Sequence, residues 1–275
     1  MNKLLQIEWL KLKNYRAFKV ISLFFVLGIP VGNYLFYIFK KKVIDAGDPT
    51  GMLASISLFS FPKAWHSVSY FSSCMLFLPG LLLLILMTNE YTYRTGRQNI
   101  IDGMSRSGFI GSKLMLAVIF AIISVVLVII TALVFGLAIG GSISFEGFEN
   151  VGYFFLKALT YNFIALLFGV LIKRTGFAIT AFLMYLLLEN GIAIGLYAWA
   201  IHIKKDNGGT DHGDMGNYLP MNAADGLIYW PLRSVSEKMA SGMPTDYVSL
   251  VLTLAIIYLI LFFIWTRAKF IKADL

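Results

Sequence analysis

Six stretches of this chain are each about twenty residues long and almost free of charge: Val20–Phe39, Val68–Thr88, Leu114–Ile139, Val151–Ile172, Gly176–Trp199 and Tyr247–Thr266. A run of about 20 apolar residues is what an α-helix needs to cross the hydrocarbon core of a bilayer. Backbone groups in lipid must be satisfied within the spanning structure, so the choice lies between helices and a closed barrel. The runs lack the strict apolar–polar alternation of barrel strands, which selects helices. The expected fold is all-α: a polytopic membrane protein with six transmembrane helices, forming one transmembrane domain over 1–275. Gly28, Pro30 and Pro79–Gly80 fall inside runs and are expected to kink them. The first run is as long as a full span, follows nineteen polar-interrupted residues and is closed by no small-x-small cleavage site, so it is read as a retained span.

Composition removes other classes. Of 275 residues 58% are hydrophobic and 14% charged, whereas a soluble domain carries about a quarter charged residues. The net charge of +8 does not mark a nucleic-acid binder, because Lys and Arg sit in short clusters between apolar runs and not on one polar face. Cys74 is the only cysteine, which excludes an internal disulfide and a cysteine-built metal centre.

Lys and Arg concentrate on cytoplasmic segments, and that sets orientation. With the N-terminus inside, the inner segments hold fourteen basic and four acidic residues, the outer ones nine and ten. Both termini are therefore expected to be cytoplasmic; the expected location is the cell membrane, a bacterial inner membrane. Trp9, Trp65, Trp199, Trp230 and Trp265 all fall at span ends or in flanking segments, where amphipathic rings favour the interface.

Outside the spans, residues 1–19 place Leu4, Leu5, Trp9, Leu12 and Tyr15 at helical spacing, the pattern of an interfacial helix. Glu8 lies one turn from Leu4 and from Leu12, on the face meant for lipid. It either pairs with Lys11 or snorkels, or it contacts a partner or the first inner loop. That loop, residues 89–113, contains a short helical pattern from Gly96 to Gly103, with Gly103 as its stop. Two turns alone are marginal in water, so the segment is either a solvated loop or a helix docked on something. The inner turn Lys173–Gly176 is too short to bind anything by itself. The large outer loop, 201–246, carries His202, Asp206, Asp211, His212 and Asp214. Their spacing matches neither a calcium loop nor a helical zinc pair, so no metal site is expected. Gly226–Leu232 is apolar enough to dip into the outer interface.

Glu189 lies well inside the fifth span, and Lys157 near the outer end of the fourth. Intramembrane ionisable groups are rare and usually paired. Three readings stay open for Glu189: a bridge to Lys157, a hydrogen-bonded glutamate, and substrate or proton handling. The last would make the chain an ATP-independent secondary transporter using Glu189 and Lys157. Enzymatic motifs are missing from the sequence: HExxH, GxSxG and a phosphate-binding GxxxxGK[ST]. No catalytic residue is expected.

Two segments resemble the permease subunits of ATP-binding-cassette (ABC) type-2 exporters. One is Glu8-Trp9-Leu10-Lys11-Leu12-Lys13, similar to that family's Glu-x-x-Lys interfacial helix. The other runs from Glu90 through Arg94, Thr95, Arg97, Gln98, Asp102, Gly103, Ser105 and Arg106 to Lys113. There the family has a Glu ending the second span, a basic/Thr pair, and a Ser/Arg pair before a lysine. Met104 stands where many relatives carry proline. The resemblance implies that residues 89–113 are a coupling helix seated in a separate ABC ATPase subunit, with the interfacial helix beside it. The coupling residues would be Glu90, Arg94, Thr95, Arg97, Gln98, Asp102, Ser105, Arg106, Glu8 and Lys11. It also implies a second permease copy or a paralogue, with ATP and Mg held by the partner ATPase and no cofactor on this chain. The exported substrate would be hydrophobic or amphipathic: a peptide, lipid or drug.

Overall fold

A computed structural model describes residues 2–44, 47, 57–139, 142–206, 211–233, 244, 245 and 247–272, and among these all regular structure is helical. The elements are α1 (Asn2–Lys13), α2 (Arg16–Phe39, continued by a π turn Lys40–Ile44), α3 (Ala64–Ser73), α4 (Phe77–Thr92), α5 (Thr95–Ile101), α6 (Arg106–Ala138), α7 (Glu149–Leu171) and α8 (Thr175–Asp206). A 3₁₀ turn (Met215–Tyr218), α9 (Asn222–Asp225) and α10 (Val248–Lys272) complete the order. Five helices (α2, α6, α7, α8 and α10) are long and apolar enough to cross a membrane; α3 and α4, bent by 40°, make a sixth if taken as one broken span.

The expected continuous second span is thus two helices, and proline explains the break. Pro79 occupies the third position of α4, where its missing N–H leaves no bond unmade. Its ring would collide with the carbonyl four residues back if the helix continued through Met75. The chain instead turns on i→i−3 bonds, Met75 N to Ser72 O and Leu76 N to Ser73 O. Pro30, by contrast, stays inside an unbroken α2.

The centre of the bundle is α7. Of its most apolar eighteen residues 72% are buried, against 17% in α2, α8 and α10. It packs against α4, α6 and α10. The outer helices instead turn large apolar side chains away from the protein, among them Phe24, Leu35, Val134, Leu187, Ile194 and Leu261. Such surfaces suit lipid and would aggregate in water. The α4–α7 contact relies on small residues: a Cβ added at Gly169 would stand 3.0 Å from Met87 Cβ, and one at Gly80 3.3 Å from Ala165 Cβ. Ala165 and Gly169 form the small-xxx-small spacing that lets membrane helices approach closely.

Trp65 departs from the interfacial expectation. It is 1% exposed, and its Nε1 donates to Ser144 O at 2.7 Å, so it anchors the loop before α7 to the start of α3.

Gly169→Leu is expected to lower stability in detergent by about 1–3 kcal/mol through overpacking. Gly152→Leu, on the same helix with nothing within 4 Å of its added Cβ, should change it by less than about 0.5 kcal/mol. Thermal unfolding of both variants checks this; equal losses would mean that the close α4–α7 approach is not what makes position 169 sensitive.

Candidate functional site

At one end of the bundle four elements meet on a buried charge. Lys113 lies in the second turn of α6 and is 1% exposed. Its ammonium donates to Glu8 Oε2 of α1 at 2.6 Å and to Glu90 Oε1 of α4 at 2.8 Å. Lys11 donates to the same Glu90 oxygen at 2.8 Å and stands 3.6 Å from Glu8 Oε1. The second oxygen of Glu90 accepts from Thr95 Oγ1 of α5 at 2.5 Å. Two carboxylates and two ammoniums thus cancel in a poorly solvated place, where an unpaired charge would cost several kcal/mol.

Local sequence explains how these groups meet. Glu90 sits in the last turn of α4, and the chain reverses at Arg94, whose φ of 56° is the only positive φ at a non-glycine residue among the described ones. That reversal lays α5 back across the end of α4 and brings Thr95 to Glu90. Then α5 closes with Gly103 N bonded to Ile100 O and Met104 N to Asn99 O, a Schellman motif with Gly103 at φ 101°. The Met104 amide is used here, a donor that proline lacks. Ser105 caps α6 by accepting from Gly108 N at 3.1 Å.

The sequence-derived residues therefore divide in two. Glu8 and Glu90 are buried in the junction, with the partly exposed Lys11 and the exposed Thr95 bonded to Glu90 at its edge. Arg94, Arg97, Gln98, Asp102, Ser105 and Arg106 lie exposed on or beside α5. Gln98 Nε2 donates to Asp102 Oδ1 at 3.0 Å and Arg106 Nη1 to Ile271 O at 3.0 Å. At the tip Ile101 is 69% exposed. Glu8 does not face lipid: it and Leu12 point into the protein, while Trp9 and Leu10 point outward. Lys113 was legible only as the head of a span; its place one turn or more inside an apolar helix is the signal that it is a buried partner.

The far half of the bundle holds a second polar arrangement and one correction. Lys157 and Glu189 do not pair. Instead Lys157 Nζ donates to Ser73 Oγ at 2.9 Å and stands 3.2 Å from Asp225 Oδ1. Glu189 Oε1 accepts from the backbone N–H groups of Met221 at 2.5 Å and Asn222 at 3.0 Å, the hydrogen-bonded alternative for this glutamate. The reason is α9. The 201–246 segment sends Met221–Ile228 into the bundle, with Met221, Ala223 and Ala224 wholly buried, so a helical turn stands where a bridge would have formed. Asp225 looks like one more loop acid in the sequence, and nothing local marks it as the partner of Lys157.

Beside α9 lies a cavity of about 860 Å³, its walls including Tyr70, Phe77, Tyr161, Tyr229 and Trp230 with Lys157 and Asp225. Farther along the same segment, Asp211 accepts from Lys204 Nζ at 2.8 Å, Gly213 N at 2.9 Å and Thr245 N at 3.0 Å; it fastens a loop.

The family described as "Protein of unknown function (DUF2705)" matches residues 50–275, which takes in Glu90, Thr95 and Lys113 of the junction but not Glu8 or Lys11. No curated protein matches the chain.

Lys113→Met should cost about 3–5 kcal/mol of stability, because it leaves two carboxylates buried against one partly exposed lysine. Adding Glu8→Gln to that variant should recover part of the loss. Thermal unfolding in detergent reads both changes, and strictly additive losses would contradict a shared buried network.

Proposed function

The chain belongs to the DUF2705 family, whose description assigns no function, and from that premise we propose that it is the permease subunit of an ABC exporter of the type-2 kind. In this reading it is a multi-pass protein of the cell membrane, with both termini, α1 and α5 on the cytoplasmic side. The excess of Lys and Arg on those segments supports that orientation. It pairs with a second permease copy or a paralogue, and each permease rests on a separate ATPase that holds ATP and Mg.

One observation carries the reading: α5 presents an exposed polar face and a bare isoleucine, yet it is tied at its root to three other helices through a buried ionic junction. A seven-residue helix left to itself would fray. Built in this way it suits a lever. A push on α5 is felt at Glu90 and Lys113, and so by the end of α4, by α1 and by the first turns of α6. With 33 residues, α6 is about 50 Å long, enough to carry a tilt from one side of the bilayer to the other. Such coupling biases two states by differential contacts and needs no covalent chemistry in this chain.

A hydrophobic or amphipathic substrate accords with the aromatic cavity beside α9. A carrier driven by protons through Glu189 and Lys157 is less well supported, because both side chains are engaged in holding α9 and its flank.

The chain captured from native membranes is expected to bring an ATPase subunit in a stoichiometric amount. The double change Arg97→Glu with Asp102→Arg should weaken that association at least about tenfold, leaving thermal unfolding of the permease unchanged. Unaltered association, or transport in vesicles without ATP, would overturn the assignment.

A further inference from the structure

The cavity of about 860 Å³ beside α9 owes its opening to the broken span. On one side of the break α4 packs on α8; on the other, α3 leans on α2, α6 and α7 and has no packing against α8. The bend that Pro79 imposes therefore leaves a cleft between α3 and α8. One face of α8 lines it from Leu183 to Tyr197, about 21 Å of helix. Leu187 and Ile194 on that face are each 70% exposed, so among the described residues the cleft is open along its side.

The charges on the walls balance. Lys157 and Arg233 stand against Asp214 and Asp225, and the recessed Lys157–Asp225 pair is closed at 3.2 Å. An ion entering this space would leave one charge without a counterpart. What the walls do offer is uncharged hydrogen-bonding capacity. Among the described residues the part-exposed Tyr70 and Tyr197 hydroxyls bond no protein group, and the exposed Asn190 side chain only donates to Leu186 O at 2.8 Å. Asn190 lies between Leu187 and Ile194, on a face where hydrocarbon supplies no partner for an amide. An apolar helix of a second copy would leave these three groups unbonded. The part-exposed Phe77 and Leu183, with Leu187, add apolar surface. The volume is also that of a small-molecule site, about 300–1,000 Å³.

We propose that this cavity binds an amphiphile with an uncharged, hydrogen-bonding head and a hydrocarbon chain, which reaches it sideways from the bilayer between α3 and α8. Its head meets Tyr70, Asn190 and Tyr197, and its chain lies along Phe77, Leu183 and Leu187. The inference rests on the permease reading only in making that molecule the cargo; the binding itself needs no ATPase.

The test uses the full chain alone, held in an amphipathic polymer and washed free of detergent. Cys74 is the only cysteine, is exposed and stands on the cavity wall, so its rate of reaction with a small maleimide reports occupancy. It is expected to react freely in the empty protein. Dodecyl maltoside, below its micellar concentration, should slow that reaction. Dodecyltrimethylammonium and lauroyl sarcosinate, with chains of the same length on a cationic and an anionic head, should need at least about tenfold higher concentration. Asn190→Leu should raise the maltoside concentration required about fivefold. Val134→Cys in a Cys74→Ser background places the thiol at a position of α6 that is 59% exposed and outside the cavity, and maltoside should not protect it. Equal protection at positions 74 and 134 would reduce the effect to a general detergent coat and overturn the proposal. So would equal potency of the three heads, or an Asn190→Leu variant that behaves as the parent. A Cys74 that is unreactive from the outset would mean that another copy or segment covers the cavity, and would overturn it too. Capture of an ATPase, which measures the permease reading, enters none of these results.

Discussion

The ammonium of Lys113 is the group on which this end of the molecule depends. A lysine that is 1% exposed needs partners that are close and fixed, because desolvation otherwise outweighs what the pair gains. Glu8 and Glu90 satisfy it, and each comes from a different helix. Meeting that one electrostatic demand places α1 against the bundle, sets where α4 stops and fixes the level at which α6 starts. Thr95 extends the same constraint to α5. A short helix that propensity alone would not hold together thus acquires a rigid base.

The other half of the molecule solves a similar problem with backbone groups. Driving Met221–Ile228 into an apolar bundle carries peptide N–H groups with it, and these must find acceptors. Glu189 provides one, an oxygen that takes two amides at once, while Asp225 at the other end of α9 lies against Lys157. The two intramembrane charges that look like each other's partners in the sequence are instead both used to hold an inserted segment. Between these polar ends the bundle is held by close helix packing, with α7 as its axis and Gly80, Ala165 and Gly169 letting α4 come close.

Much of this was legible in the residues. Long apolar runs without strand-like alternation located the long helices. Gly103 marked the end of α5, because a left-handed position there favours glycine. The break at Cys74–Leu76 was visible as Pro79 but not its extent, since Pro30 sits in a comparable run and leaves α2 whole. Less legible were relations between distant residues. The Lys113–Glu8 bond spans 105 positions and the Met221–Glu189 bond 32; no periodicity reports such pairings. Nor does composition single out Asp225 as the acid that meets Lys157, or reveal that the short Lys173–Arg174 turn shares a cavity with α5.

Through this junction α1, α4, α5 and the start of α6 act as one mechanical body. Spin labels at Gln6 of α1 and Gln98 of α5, in a Cys74→Ser background, read that relation as a distance by pulsed electron resonance. With the proposed ATPase subunit and nucleotide added, a single narrow distance is expected that stays the same with and without ATP, and that broadens when Glu90→Gln is introduced. A distance that changes with ATP while Glu90 is intact would mean that α5 moves on its own, and would contradict the account.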